Sequence, residues 1–164
     1  NKLLLSTQQH PDFDVELVVD NQVFRYFVFK RPHVEYFLAK VSSWFNLAFF
    51  TASVADYADP VIEWLTLPVR ASVQKKLFRA SCTPSDGVFL KNLALVEPDL
   101  SQVLILDNSV AAFELNPDNG VLISTWIDDR NDEALLDILP FLDALRFVDD
   151  VRSILGLRRI KEVK

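Results

Sequence analysis

Polar side chains follow two apolar runs of this chain, residues 47–50 and 103–106, at the points where the runs end. These polar residues are Thr51 and Ser53 after the first run, and Asp107, Asn108 and Ser109 after the second. Because an open α/β sheet presents its functional groups at the carboxyl ends of its strands, these residues are predicted to share one site. The oxygens of Asp107 and Asn108 could hold a hard divalent cation, and the Thr51 hydroxyl could bind a phosphoryl oxygen.

Two cationic residues extend this set. Lys91 follows the apolar residues 88–90 and could neutralise the charge on a phosphate. Arg79 lies at the end of the predicted strand 76–79 and offers a planar fork to phosphate oxygens. A hydroxyl, an ammonium, a guanidinium and a carboxylate beside an amide are together typical of phosphoryl transfer.

Each of these residues also has a purely structural interpretation, which the sequence leaves open. Thr51 could cap the end of its strand, and Asp107 and Asn108 could cap a helix or a turn. Lys91 could face solvent, and Arg79 could form a surface ion pair. Only the order and spacing of the residues favour the functional interpretation.

The composition excludes several other classes of function. A net charge of −6 over 164 residues argues against an extended nucleic-acid surface, and 3 glycines with no glycine-rich motif argue against a nucleotide loop. Cys82 is the only cysteine, so neither an internal disulfide nor a cysteine metal cluster can form, and a reducing compartment is expected. No apolar run reaches the length of a membrane span. Membrane association is therefore expected only through a partner or an anchor outside this chain.

Strands alternate with helices along the chain, which predicts the α/β class with a mainly parallel sheet. The predicted strands are residues 14–19 and 23–29 in a β-hairpin, then 47–50, 76–79, 88–90, 103–106 and 121–123. The predicted helices are residues 34–44, 54–65, 132–145 and 149–155, and a charged tail follows from residue 158. Pro60 could interrupt the second helix, and Pro140 could kink or break the third. Residues 2–5 are a further strand candidate.

Six motifs fall in the order found in one protein family. They are Phe50-Thr51-Ala52-Ser53, Tyr57-Ala58-Asp59-Pro60-Val61, Phe78-Arg79-Ala80-Ser81-Cys82, Lys91-Asn92-Leu93, Leu106-Asp107-Asn108-Ser109 and Pro117-Asp118-Asn119. In this order they resemble the catalytic domain of the small C-terminal-domain phosphatases, and Lys30-Arg31-Pro32-His33-Val34 matches as well. Within that family the chain is most similar to the Dullard-type nuclear-envelope phosphatases. That closer likeness rests on residues 11–13, Trp64, residues 139–146 and residues 150–152.

The resemblance implies a haloacid-dehalogenase-like, Rossmann-like α/β fold. It would consist of a mainly parallel sheet flanked by helices, with a small β-hairpin insertion and no large cap. Residues 1–164 would form a single catalytic domain. The stretch between Ser53 and Lys91 is too short for a large cap, which favours an open site for a protein substrate over a small-molecule phosphatase.

The resemblance also implies an activity, a magnesium-dependent protein serine/threonine phosphatase that forms an aspartyl-phosphate intermediate. The implied site residues are Thr51 and Lys91 for catalysis, Arg79 and Ser53 for substrate binding, and Asn108 and Asp107 for the metal. The implied substrate is a phosphoprotein of lipid metabolism, a phosphatidate phosphatase, with the RNA polymerase II tail as the alternative. The implied partner is a small membrane-bound regulatory subunit. The implied location is the cytosolic or nuclear face of the nuclear envelope or endoplasmic reticulum, with the nucleus as the alternative.

One motif of the family is missing from the sequence. The family's first motif is an apolar strand followed by Asp-Leu-Asp-Glu-Thr, in which the first aspartate attacks phosphorus and the second transfers protons. Residues 2–5 resemble that strand, yet Ser6-Thr7-Gln8-Gln9 follow them. Asp12-Phe13-Asp14 is not a substitute, because no apolar strand precedes it. Either this sequence lacks a stretch of the natural protein near Leu5 and Ser6, or the protein is an inactive pseudophosphatase that serves as a binding module.

Overall fold

The computed structural model describes residues 10–162, and the side chains of residues 10–157. The strand candidate at residues 2–5 and residues 6–9, at the expected position of the aspartate motif, lie outside the described residues. The strands are β1 (Phe13–Val19), β2 (Gln22–Val28), β3 (Leu47–Phe50), β4 (Val73–Leu77), β5 (Thr83–Ser85), β6 (Val88–Leu90), β7 (Ile105–Asp107) and β8 (Gly120–Leu122). The α-helices are α1 (Val34–Trp44), α2 (Ala55–Thr66), α3 (Ala134–Asp137), α4 (Leu139–Leu145) and α5 (Arg152–Glu162). Within this part of the chain, no helix is long and apolar enough to cross a membrane.

Strands β1 and β2 form the predicted antiparallel hairpin, closed by the pair Val19 and Gln22. The two turn residues, Asp20 and Asn21, have φ angles of 51° and 61°. Both therefore adopt the left-handed conformation that the tightest hairpin turns require, which short polar side chains tolerate best. Phe13 of β1 stacks on Trp64 of α2 with ring centroids 4.9 Å apart, and this contact attaches the hairpin to the rest of the domain.

The central strands form two separate parallel pairs. Strand β3 pairs with β4 and strand β7 pairs with β8. Among residues 10–162, neither β3 nor β7 has a strand on its other edge. Both strands line one cavity of about 750 Å³, whose walls combine apolar side chains such as Val41 of α1 and Leu142 of α4 with polar ones such as Gln74 and Glu97. The predicted parallel strands are therefore present, and a cavity of mixed polarity adjoins the strands that carry the candidate site.

Two clusters of buried side chains hold these pairs in place. The larger cluster joins α1, α4, α5 and β8 through Val41, Val121, Leu139, Leu142, Leu145, Val151 and Leu155. The smaller cluster surrounds β7 and consists of Leu93, Val103, Ile105, Ala112 and Phe113. Burying one such large aliphatic or aromatic side chain contributes roughly 1.5–3 kcal/mol, so these clusters fix the position of β7 and its carboxyl end.

Two strands differ from the sequence predictions by two or more residues at a boundary, three others differ by one residue, and β5 was not predicted. Strand β4 covers Val73–Leu77 instead of residues 76–79, because its pairing with β3 begins at Val73. Arg79 therefore begins a short 3₁₀-helix, Arg79–Ser81, instead of ending a strand. Strand β7 covers Ile105–Asp107, so Asp107 is its last residue and still pairs with Leu122.

The helices differ in three places. Helix α2 runs through Pro60 without a break, and it is anchored on both sides of the proline by the buried residues Ala58 and Ile62. The predicted helix 132–145 is divided at Ile138 into α3 and α4, with Pro140 in the first turn of α4, where its missing N–H costs no hydrogen bond. Helix α5 continues to Glu162, so the backbone of the predicted charged tail is helical to that residue.

Candidate active site

A buried ion pair joins the carboxyl ends of β6 and β7. The Nζ atom of Lys91 lies 2.5 Å from Oδ2 of Asp107, and the two side chains are only 10% and 12% exposed. The backbone N–H of Lys91 donates to the carbonyl of Ala112, and Oδ1 of Asp107 accepts from the backbone N–H of Ser109. An ammonium and a carboxylate are expensive to remove from water, so a pair held this deeply is a fixed electrostatic feature of the strand ends.

Asn108 follows this pair at the end of β7 and is exposed. Its Nδ2 atom donates to the hydroxyl of Thr125 at 3.0 Å. Within the described part of the chain, nothing donates a hydrogen bond to its Oδ1 atom, so this carbonyl oxygen is available to a ligand.

These groups fit a magnesium ion in part. The carboxylate of Asp107 and the amide oxygen of Asn108 are hard oxygen donors of the kind that this ion takes from proteins, together with water and phosphate oxygens. Among the described residues, however, no group of three His, Cys, Asp or Glu side chains could complete the coordination shell. Further carboxylate donors would have to come from elsewhere in the protein.

The end of β3 carries a second group of candidate residues. The backbone N–H of Ser53 donates to the Thr51 hydroxyl at 3.1 Å, and the backbone N–H of Arg79 donates to the Ser53 carbonyl at 2.9 Å. Nε of Arg79 donates to the carbonyl of Ala52 at 2.6 Å, and its guanidinium lies 5.2 Å from the centre of the Phe89 ring. No described residue accepts from the two terminal nitrogens of Arg79, so this side of the guanidinium is free to bind an anion.

Cys82 lies between the two groups. Its Sγ atom is 3.7 Å from the carbonyl oxygen of Thr51. Burial raises the pKa of the Cys82 thiol, while the positive charges of Lys91 and Arg79 oppose that rise. Both cations are therefore close enough to Cys82 to influence its pKa, which places Cys82 near both groups.

The structure thus brings the predicted site residues together in two hydrogen-bonded groups. Thr51, Ser53 and Arg79 form the group at the end of β3, and Lys91, Asp107 and Asn108 form the group at the end of β7. Their roles in catalysis, substrate binding and metal binding stay predictions.

Sequence reasoning missed three residues next to the site. Phe89 stacks on Arg79, Thr125 holds Asn108, and Arg31 binds the residue before Thr125. Phe89 was recognised only as part of an apolar strand, and Thr125 carries no motif of its own. Asn92 follows Lys91, and its side chain accepts from the N–H of Ala94 and caps the short helix Leu93–Leu95.

Comparison with known families decides what kind of domain this is. The family model for NLI interacting factor-like phosphatases matches residues 1–152 of the chain. The chain belongs to this family. Its membership confirms the phosphatase family that the motif order predicted.

Two relatives of similar sequence carry nuclear-envelope names. CTD nuclear envelope phosphatase 1B of Danio rerio is 46% identical over 146 residues, a match that covers 89% of this chain and 59% of the relative. Nuclear envelope morphology protein 1 of Saccharomyces cerevisiae is 42% identical over 144 residues, covering 81% of this chain and 32% of the relative. These matches confirm the predicted Dullard-type resemblance, and the names agree with the predicted nuclear-envelope location. The chain spans 59% of the length of the zebrafish relative.

Solved structures of similar fold agree with the predicted fold class. A variant of the fission yeast RNA polymerase II CTD phosphatase Fcp1 bound to beryllium fluoride superposes with a TM-score of 0.59. That match has 20% sequence identity and covers 91% of this chain and 43% of the other. At this level of identity the likeness concerns the fold alone.

Proposed function

We propose that the protein is a magnesium-dependent protein serine/threonine phosphatase that works through an aspartyl-phosphate intermediate. The observation that carries this proposal is the buried pair of Lys91 and Asp107 beside Asn108, at the carboxyl end of β7, in a chain of this phosphatase family. Hard oxygen donors next to a fixed ammonium suit a cation and a phosphoryl group bound side by side.

The described residues would have separate roles in binding the metal and the phosphate. Asp107 and Asn108 would hold magnesium, which when bound offsets the negative charge of the phosphoryl oxygens. The ammonium of Lys91 would offset the charge that develops on phosphate during transfer. The terminal nitrogens of Arg79 would bind phosphate oxygens in a planar fork, and the hydroxyls of Thr51 and Ser53 would donate to the remaining oxygens.

The nucleophile would come from an additional strand. The cavity beside β3 and β7 is lined in part by apolar side chains, which a further strand buried in the sheet would contact. An apolar strand in this cavity, ending in Asp-x-Asp, would bring two carboxylates to the ends of β3 and β7. The first carboxylate would attack phosphorus, and the bond from phosphorus to the serine or threonine oxygen would break. The second carboxyl would protonate that leaving oxygen, then take a proton from the water that hydrolyses the aspartyl-phosphate and releases phosphate.

A second candidate function is that of an inactive binding module on the same fold. It is favoured by one sequence observation: Ser6-Thr7-Gln8-Gln9 stand where the family has its aspartate motif. Neither a hydroxyl without a base nor an amide can replace the two aspartates at neutral pH. Sequencing the transcript across Leu5 and Ser6 separates the two candidates, because an encoded Asp-x-Asp motif contradicts the binding module.

We also propose a biological setting, which follows from the family resemblance and, for the location, from the nuclear-envelope names of the relatives. A phosphoprotein of lipid metabolism, such as a phosphatidate phosphatase, would be the substrate. A small membrane-bound regulatory subunit would be the partner, at the cytosolic or nuclear face of the nuclear envelope or endoplasmic reticulum. The alternative is the RNA polymerase II tail as substrate in the nucleus.

The proposed activity is tested with matched phosphopeptides and the full-length protein. Phosphoserine, phosphothreonine and phosphotyrosine versions of one peptide are compared with a phosphorylated RNA polymerase II tail repeat, each with magnesium. We expect phosphate release from the first two peptides and little from the third. Tight binding of the phosphopeptides without any phosphate release would support the binding module instead. Preferential turnover of the tail repeat would support the alternative substrate.

A further inference from the structure

Arg31 lies just before α1 and donates four hydrogen bonds to Asp132 and Ser124, which we call the Arg31 clamp. Its Nε and Nη2 atoms donate to the two carboxylate oxygens of Asp132 at 2.7 and 2.8 Å. Its Nη1 atom donates to the carbonyl of Ser124 at 2.8 Å, and Nη2 also donates to the Ser124 hydroxyl at 2.8 Å. The side chains of Arg31 and Asp132 are each 14% exposed. A bidentate pair this well shielded holds its partners in one geometry, which an exposed surface pair does not.

The clamp acts on the segment that reaches Asn108. Ile123 donates its backbone N–H to the carbonyl of Asp107 at 3.0 Å, so the segment leaves β8 attached to the end of β7. Arg31 then fixes Ser124, the next residue. Thr125 follows immediately, and its hydroxyl accepts from Nδ2 of Asn108 at 3.0 Å. The segment that carries the Thr125 hydroxyl is thus held by two hydrogen-bonded contacts, one to Asp107 of β7 and one to Arg31 just before α1.

We infer that Arg31 and Thr125 are positioning residues for Asn108: Arg31 fixes the Ser124–Thr125 segment, and Thr125 holds the Asn108 amide with its carbonyl oxygen open to a cation. This inference rests on the proposed function. An amide has one acceptor oxygen and one donor nitrogen, and a cation is bound only by the oxygen. A hydroxyl can accept from the amide nitrogen or donate to the amide oxygen, and here it accepts from the nitrogen, which leaves the oxygen open to a cation. Groups behind a metal ligand generally orient it in this way.

A purely structural role for the clamp makes a different prediction. If Arg31 and Asp132 only attach α1 to the segment before α3, then removing the Thr125 hydroxyl would alter neither metal affinity nor its dependence on Arg31. Thr125 is exposed and makes only the hydrogen bond to Asn108 among the described residues, so Thr125→Val is not expected to unfold the protein.

The test measures metal binding directly, without turnover. The probe is Mn²⁺ alone, titrated into the full-length protein while free Mn²⁺ is followed by electron paramagnetic resonance. Thr125→Val removes the hydroxyl at constant shape, Thr125→Ser keeps it, and Ser42→Ala is a matched control at an exposed hydroxyl that bonds only to its own helix. Thermal unfolding is recorded for each variant.

We expect Thr125→Val to weaken Mn²⁺ binding at least about 10-fold, the lower end for a residue behind a metal ligand, with thermal stability unchanged. Thr125→Ser should restore the affinity, and Ser42→Ala should match wild type. Arg31→Lys should also weaken binding, and adding Thr125→Val to it should cost less than it does in wild type, because both act on one segment. In phosphatase assays at limiting magnesium the loss should disappear as magnesium approaches saturation.

Wild-type Mn²⁺ affinity in Thr125→Val would overturn the positioning role while leaving the proposed phosphatase intact. Equal weakening in Thr125→Ser and Thr125→Val would overturn it as well, since the hydroxyl would then not be the group that matters. A wild-type protein that binds no Mn²⁺ and releases no phosphate would overturn the proposed function itself, and the positioning role with it.

Discussion

Replacing Lys91 with methionine tests the electrostatic centre of the site. The substitution keeps the length of the side chain and removes its charge, so Asp107 is left with one backbone donor, the N–H of Ser109. The carboxylate is only 12% exposed and cannot recover its hydration without disturbing its surroundings. Removing one partner of a buried ion pair typically costs about 3–5 kcal/mol. Since 1 kcal/mol shifts the midpoint of a domain this size by about 2–4 °C, we expect Lys91→Met to lower the melting temperature by about 6–20 °C.

The assay is unfolding by denaturant and by heat at pH 7, followed by circular dichroism. Lys40→Met is the matched control, because Lys40 is exposed and removing its charge should change the free energy of unfolding by no more than about 0.5 kcal/mol. The double variant Lys91→Met with Asp107→Asn carries no buried charge at this site and should be more stable than Lys91→Met alone. If Lys91→Met loses less than about 1 kcal/mol, or if the double variant is no more stable than the single one, then the pair is not held as a buried charge pair.

Three further outcomes can be measured on the same preparations. Gly120→Ala should destabilise the fold by about 1–3 kcal/mol in denaturant unfolding, because the added Cβ would overlap the buried Phe113 ring; an unchanged midpoint would mean that the ring has room to move. The hydrogen bonds from Arg31 hold the pKa of Asp132 below its usual value, so their stabilisation is complete above about pH 3.9 and is lost as the pH falls through the lower folded pKa. Unfolding measured from pH 6 to pH 2 should show a smaller loss of stability in Asp132→Asn than in wild type, because only carboxylates such as Asp99 and Asp150, whose pKa values are also lowered, still contribute. Burial raises the pKa of Cys82, so alkylation of its thiol by iodoacetamide at pH 7 should be slower in the folded protein than after unfolding; equal rates would contradict this environment.

The elements that present the candidate site could be predicted because their signals are local. An apolar run that ends in polar residues identifies β3 and β7, and Asp20-Asn21 and Asp86-Gly87 are turn dipeptides whose residues tolerate positive φ. Helix α1 has the predicted bounds, residues 34–44, since its apolar spacing is regular and Pro32 precedes it. The order of the six motifs also predicted the phosphatase family.

The boundaries and contacts that depend on tertiary structure could not be predicted in this way. The position of Arg79 depends on where β4 begins its pairing with β3, which no local pattern specifies. The Arg31 clamp joins residues 101 positions apart, and an arginine before a proline gives no sign of its partner. Helix α2 likewise continues through Pro60 because Ala58 and Ile62 are buried on either side of it. The sequence does not show which elements bury these two residues.

Magnesium-dependent phosphate release tests the central claim most directly. The full-length protein is assayed on a phosphoserine peptide with increasing magnesium, in parallel with Asn108→Ala and with Ser42→Ala as the control. The account predicts release that requires magnesium in wild type and in Ser42→Ala. It predicts a loss in Asn108→Ala of at least about 10-fold at limiting magnesium, since a metal ligand matters no less than a group that orients it. Release that is unaffected by chelation of magnesium, or that persists unchanged in Asn108→Ala, would contradict the assignment of the β7 carboxyl end as half of a magnesium phosphatase site.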